Sequence, residues 1–331
     1  MNLEERITIM GKLGSYLTEN SEELDQVKER AYQKNKWFTK EFINYSFKNI
    51  SENYLDPHLL RNWVNHYHID DNILSGRIGV VMAGNIPLVG FHDFLSVFIT
   101  GYHQLIKLSD KDDVLLPHII DKLNQWNPQV QSGVTTTELL KDCDAYIATG
   151  SNNSARYFHH YFGKYPSIIR NNKTSVAVLT GGETEEELSF LADDVYCYFG
   201  LGCRNVTKLF VPENYNFEDL LKAFKKYDYF SDLTKYRNNY DYNLALLIMN
   251  NKYYMANDSI ILSENENIFS PVSVLNYSFY NNEKSMLEQL NLDENVQCIV
   301  GKNQVPFGKA QRPDLFDYAD GIDTMEFLLG L

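Results

Sequence analysis

Residues 76–110, "GRIGVVMAGNIPLVGFHDFLSVFITGYHQLIKLSD", place a short apolar run, a glycine-asparagine turn, a helix-like segment and a second apolar run in direct succession. Each run is of strand length and is closed by Gly, Ser or Asp. The pattern returns in "DAYIATGSNNS" (144–154) and "TSVAVLTGGE" (174–183). Strands alternating with helices imply an α/β fold, a doubly wound parallel sheet covered on both faces. Ligands bind such sheets at the carboxyl ends of the strands.

Outward from that stretch, residues 1 to about 75 read as helices: "SEELDQVKERAYQKNKWFTKEFINYSFKNI" (21–50) opens on a Ser cap and spaces its apolar residues at three to four. Residues 183–199 form another helix, with Thr184 and Glu187 as its capping box, stopping at Gly200. The strand "NVTKLFV" follows, so Cys203 lies in the connecting loop. The Tyr- and Asn-rich stretch 227–257 reads as a polar, aromatic-decorated surface around a helix.

A chain of 331 residues predicts about two domains. We place them at 1–180, a helical N-terminus with a nucleotide-binding domain, and 181–331, a catalytic domain whose tail can return to the first. Asp+Glu 44 against Lys+Arg 30 gives a net charge of -14, which repels a polyphosphate backbone and excludes nucleic acid as a partner. The N-terminus carries charges where a signal peptide is apolar, and no uncharged apolar window reaches the ~18 residues of a membrane span, so the chain reads as cytoplasmic. Four cysteines, without paired spacing, read as reduced thiols. His66, His68, His159 and His160 lack a further ligand set, so no metal is expected.

Three turns and one thiol carry candidate chemistry. In the first turn a strand runs to Gly84, Asn85 either caps or binds, and Pro87 suits the first turn of a helix. In the second, Lys107 sits inside an apolar run, where its stem can snorkel to the strand end or its ammonium can meet a ligand. In the third, Gly150 and Ser151 lead into a helix whose free N–H groups suit an anion or simply a cap, without the GxGxxG fingerprint. Cys203 lies in a glycine-lined turn beside Arg204, open to a nucleophilic role. Cys143, Cys197 and Cys298 read as structural. The runs "DKDD" (110–113) and "ETEEE" (183–187) read as a solvated turn and a helix N-terminus.

In order, these segments resemble the aldehyde dehydrogenase superfamily, and most closely its acyl-CoA reductase branch, the LuxC-like proteins, over roughly residues 76–331. The resemblance implies an oxyanion role for Asn85 in "GNIP" and the adenosine ribose for Lys107 and Ser109 in "IKLSD". It implies the nicotinamide and pyrophosphate for Gly150 and Ser151 in "ATGS". Gly181 and Gly182 in "LTGG" take the place of the Glu-Leu-Gly-Gly turn and are implied to be cofactor-binding, and Cys203 in "GLGC" takes that of the nucleophile. "NIFSPVSVLNY" resembles the segment whose carboxylate reaches the nicotinamide ribose, with Glu266 one residue early and Asn267 in its place. "VPFGKAQRP" resembles the closing loop.

Besides Asn267, a second departure shapes the expected chemistry. Leu179 and Thr180 stand where the dehydrogenase glutamate precedes the glycines, so water lacks a general base against an acyl-enzyme. The chain is also shorter than typical superfamily members. The resemblance then implies reduction of an acyl-CoA or acyl-carrier thioester by NADPH, more than by NADH, through an acyl-cysteine. It leaves homo-oligomerisation open. A non-catalytic binding or assembly protein on the same fold, and an acyl-phosphate reductase, are the alternatives.

Overall fold

The computed structural model describes residues 1–70 and 76–331. The N-terminal region forms α1 (Leu3–Leu17), α2 (Glu22–Lys34), α3 (Lys40–Asn53) and α4 (Pro57–His66). Asn2, Ser21, Thr39 and Asp56 each accept a first-turn N–H, satisfying donors that no helix pairs internally. The end of the expected helical stretch, 71–75, lies outside the described residues.

The alternation then unfolds as β1 (Arg77–Val81), α5 (Phe91–Thr100), β2 (His103–Lys107), α6 (Leu115–Trp126), β3 (Val134–Thr136), β4 (Ala145–Thr149), α7 (Asn152–Phe162) and β5 (Ser167–Arg170). All five strands pair in parallel, in the order β3-β2-β1-β4-β5. The chain winds outward from β1 to β3 and then restarts on the other side of β1 at β4. The strand order therefore reverses between β1 and β4, the topology that opens a crevice at the strands' carboxyl ends. Ile78, Val80 and Ile147 are fully buried, as a doubly covered strand requires.

The second sheet is built from β6 (Thr174–Val178), β7 (Val206–Pro212), β8 (Met255–Ala256), β9 (Ile261–Glu264), β10 (Val274–Tyr280) and β11 (Val296–Gly301). Its order is β11-β6-β7-β10-β9-β8, parallel except for the short edge strand β8. Helices α8 (Glu185–Tyr196), α9 (Glu218–Ala223), α10 (Thr234–Met249) and α11 (Glu283–Leu292) connect the strands. The Thr184–Glu187 capping box is present at the start of α8.

The chain divides into two compact units, Met1–Asn172 with Pro313–Leu331, and Lys173–Arg312. The last helix, α12 (Thr324–Leu329), belongs to the first unit. Trp63 Nε1 donates to the Tyr318 hydroxyl (2.9 Å), Arg170 to Thr324 Oγ1 (2.9 Å) and the Tyr102 hydroxyl to the Leu328 carbonyl (3.2 Å).

Two local expectations are corrected. Pro87 does not open a helix: β1 ends at Val81, α5 begins at Phe91, and residues between them form a turn in which Leu88 adopts φ 55°. Asp112, read from "DKDD" as solvated, is buried, because its Oδ2 accepts the Leu88 N–H (2.8 Å) and ties that turn to the end of β2.

Candidate active site

In the first unit, Val81 pairs with Lys107 on one side while Ala148 pairs with Val81 on the other. Asn85, Lys107 with Ser109, and Gly150 with Ser151 therefore follow three adjacent strands and share one end of the sheet. Gly84 is required where the first two turns close: a Cβ there would lie 2.6 Å from Ser109 Oγ and 3.1 Å from the Asp112 nitrogen. Lys107 reaches the surface, whereas Asn85 and Ser109 are half-buried. Burial pushes the Asp112 carboxyl up to about 6.

Ser151 caps α7, its Oγ accepting the Ser154 N–H (3.3 Å). Under that first turn Gly150 leaves room that a side chain would fill, since a Cβ would meet Ser154 Cβ and Phe158 Cε2 at 2.9 Å. A bare backbone, a helix N-terminus and a lysine at one sheet end fit the pyrophosphate and ribose of a dinucleotide.

In the second unit, α8 runs into a tight bend where Tyr198, Phe199 and Gly200 take φ values of 53°, 58° and 75°. Two bulky residues in the left-handed region cost about 1–3 kcal/mol each, so the surroundings must impose that bend. The Phe199 ring is wedged against Phe230 (centroids 4.7 Å apart) and Tyr236 (5.8 Å). Asn205, fully buried, then binds both ends of the loop. Its Nδ2 donates to the carbonyls of Asp194 (3.1 Å), Val195 (3.3 Å) and Cys197 (2.7 Å), and its Oδ1 accepts the Gly202 N–H (2.8 Å). Half-buried Cys203 stands inside this frame, and its carbonyl accepts from Ser175 Oγ (3.1 Å). Ser175 Oγ also lies 3.1 Å from Cys298 Sγ. Cys143 and Cys197 are buried, and burial pushes the Cys143 thiol up, away from reactivity.

The closing loop is fastened to the same helix. Asp194 accepts the N–H groups of Gly308 (2.6 Å) and Ala310 (3.0 Å), and burial pushes its carboxyl up to about 7. Neither Asp194 nor Asn205 carries a motif; Asn205 was visible only as a polar residue at a strand entrance, and Asp194 as a polar residue inside an amphipathic helix.

Gly181 and Gly182 are not brought to Cys203. They follow the carboxyl end of β6, whereas Cys203 precedes the amino end of β7, and these strands are parallel neighbours. Glu183 closes the glycine turn by accepting the Thr180 Oγ1 hydroxyl (2.8 Å) and the Gly181 N–H (3.0 Å). The chain entering β6 takes that place beside Cys203. Its sequence from 171 to 175, Asn-Asn-Lys-Thr-Ser, contains no carboxylate.

Glu266 is exposed on the loop between β9 and β10. Asn267, in the position of the expected cofactor carboxylate, uses its Oδ1 to accept the Phe269 N–H (3.0 Å). The end of this loop, Ser270–Pro271, lines a small pocket together with Phe199 and Gly200. Among the described residues, no group of His, Cys, Asp or Glu could hold a metal, and no helix is long and apolar enough to cross a membrane.

No protein-family profile matches the chain, and no curated protein does. Solved structures match its fold. One is the P. syringae indole-3-acetaldehyde dehydrogenase AldA in complex with NAD+ and IAA, at 12% identity and TM-score 0.63, covering 91% of this chain and 72% of that one. An aldehyde dehydrogenase from Bacillus cereus in complex with NAD+ matches at 14% identity and TM-score 0.63, with the same coverage. KauB, an aldehyde dehydrogenase from Pseudomonas aeruginosa, matches at 13% and 0.61, covering 91% and 72%. The chain has the aldehyde dehydrogenase fold.

Proposed function

We propose that the protein is a nicotinamide-dependent oxidoreductase of the acyl-CoA reductase type, converting an acyl-CoA or acyl-carrier thioester to its aldehyde through an acylated Cys203. The observation that carries this reading is the Cys203 loop, held rigid by Asn205 and Ser175 after an enforced left-handed bend. A structural thiol has no need of such a frame; a nucleophile does.

In this reading the Cys203 thiolate forms a bond to the thioester carbonyl carbon. The resulting oxyanion is held by the Asn85 amide and main-chain N–H groups of the Cys203 loop. Collapse breaks the original C–S bond, and the carrier thiolate leaves and takes up a proton. The chain beside Cys203 offers water no carboxylate base, so the acyl-enzyme persists. A reduced nicotinamide, when bound, supplies the hydride, so that thioester, NAD(P)H and a proton become aldehyde, thiol and NAD(P)+. Lys107, Ser109, Gly150 and Ser151 would hold its adenosine and pyrophosphate portions, and Glu266 its second ribose. Gly181 and Gly182, at the far end of the second sheet, have no part in this scheme.

The family resemblance favours NADPH, whereas NAD+ occupies two of the three solved structures named above and exposed Asp110 beside Lys107 and Ser109 opposes a 2′-phosphate. An acyl-phosphate substrate is less well supported, because Lys208, one of the few cations near the nucleophile in sequence, is fully buried. It donates to the Asn265 carbonyl and Ser278 Oγ instead.

The deciding assay follows nicotinamide absorbance with acyl-CoAs of graded length and either cofactor. Turnover in the wild type and loss of about a thousandfold or more in Cys203→Ala is the expected result. Full activity in Cys203→Ala would overturn the mechanism. An iodoacetamide-inert Cys203 with no nucleotide binding would favour a non-catalytic binding protein.

A further inference from the structure

The connection from β9 to β10 is a crossover between parallel neighbours with no helix in it. Nine residues, 265–273, run back along the sheet instead, and a loop in that position has main-chain carbonyls to satisfy. The sheet supplies side-chain donors for them. Lys208 on β7 donates to the Asn265 carbonyl and to Ser278 Oγ, and Thr207 donates to the Ile268 carbonyl (2.6 Å). Asn276 on β10 donates to the carbonyls of Asn267 (2.8 Å) and Phe269 (3.1 Å). Within the loop, Asn265 and Asn267 each accept the N–H two residues on, at 3.0 Å.

Lys208 is the expensive member of this set. Its side chain is fully buried among apolar strands, and an ammonium there is stable only with partners. Burial lowers its basicity to about 8, while Glu266 and Glu264 support its charge. The Phe210 ring lies 5.3 Å from Nζ. A methionine or leucine would fill the space without that cost, so the geometry has to be worth something that packing is not.

We infer that Lys208 is a positioning residue that fixes the 265–270 loop, and with it Glu266, against the sheet so that the loop meets the nicotinamide half of the cofactor in one conformation. The inference rests on the cofactor role proposed above for that loop. The tie holds the carbonyl immediately before Glu266, and the far end of the same loop borders the Phe199–Gly200 bend that leads to Cys203. Lys208 itself touches no reactant.

The test compares the affinity of NADH and NADPH with that of ADP, which lacks the nicotinamide half, in wild type, Lys208→Met and Lys208→Gln. Losing the buried hydrogen bond to the Asn265 carbonyl, along with that to Ser278 Oγ, should weaken binding of the better dinucleotide by about tenfold in Lys208→Met, with ADP unchanged within about twofold. Gln restores a donor toward the Asn265 carbonyl and should recover most of the loss. Equal weakening of dinucleotide and ADP, or dinucleotide affinity unchanged in Lys208→Met, overturns the inference. If Lys208→Met fails to fold, Thr207→Val, which removes the donor to the Ile268 carbonyl, carries the same comparison.

Hydrogen exchange separates the tie from its use. Faster exchange at the Asn267 and Phe269 amides in Lys208→Met is expected, and unchanged protection there overturns the tie. A wild-type protein that binds no nicotinamide nucleotide removes the parent reading, and the loop's cofactor role with it, whatever the exchange shows.

Discussion

The two units build their candidate functional features by different means. The first uses backbone: Gly84 and Gly150 let turns close at the ends of β1, β2 and β4, and a capped helix N-terminus stands beside them. The second uses buried side chains that bridge distant segments: Asn205 across the Cys203 loop, Asp194 to the closing loop, and Lys208 with Asn276 to the 265–270 loop. A site made of bare backbone fails when something is added to it. A site made of buried polar ties fails when one is taken away.

The largest effect should therefore come from Asn205→Ala. It leaves the Gly202 N–H and three carbonyls without their partner in a buried place, a loss of about 3 kcal/mol or more. Cys203 alkylation should slow by about tenfold or more while the nucleotide affinity proposed for the first unit is kept. Loss of both together would dissolve the distinction between the units.

Gly150→Ala tests the other side. Its Cβ would meet Ser154 Cβ and Phe158 at 2.9 Å, so overpacking of about 1–3 kcal/mol is expected. Dinucleotide and ADP affinity should fall together, with Cys203 alkylation unchanged. Calorimetric titration beside an alkylation time course reads both.

The smallest effect is a slope. Burial raises Asp194 from 3.8 in the unfolded chain to about 7, so the folded state binds the extra proton between those values. That contribution to stability is complete below pH 4 and is lost as pH rises through 7. The melting temperature of the wild type relative to Asp194→Asn should drift downward across that window and level off above pH 8. A flat difference would show that the Gly308 and Ala310 tie keeps the carboxylate charged throughout.

How much could be read in advance follows the same division. Backbone-built features leave local marks: Gly-Asn, Gly-Ser and a T-x-x-E capping box each announce a turn or helix start within four residues. The parallel sheet and the positions of Asn85, Lys107 and Ser151 at its strand ends were legible for that reason. Asp194 and Asn205 owe their roles to partners brought near by the fold, and no spacing marks them. The glycines at 181–182 mark a genuine turn, but a motif does not say at which end of a strand it lies. Sheet register assigns them to the end away from Cys203, and the neighbouring strand entrance takes their place. Pro87 misled for a smaller reason, since a left-handed Leu88 and the Asp112 tie insert a turn before α5.

The return of residues 313–331 to the first unit bears on how the chain is made. Synthesis delivers Trp63, Tyr102 and Arg170 long before Tyr318, Leu328 and Thr324, and the whole of Lys173–Arg312 emerges in between. The second unit is thus free to fold while the first still waits for its final helix. A nascent chain stopped between Arg312 and that helix would carry a complete second unit, while Trp63, Tyr102 and Arg170 of the first still lacked their C-terminal partners.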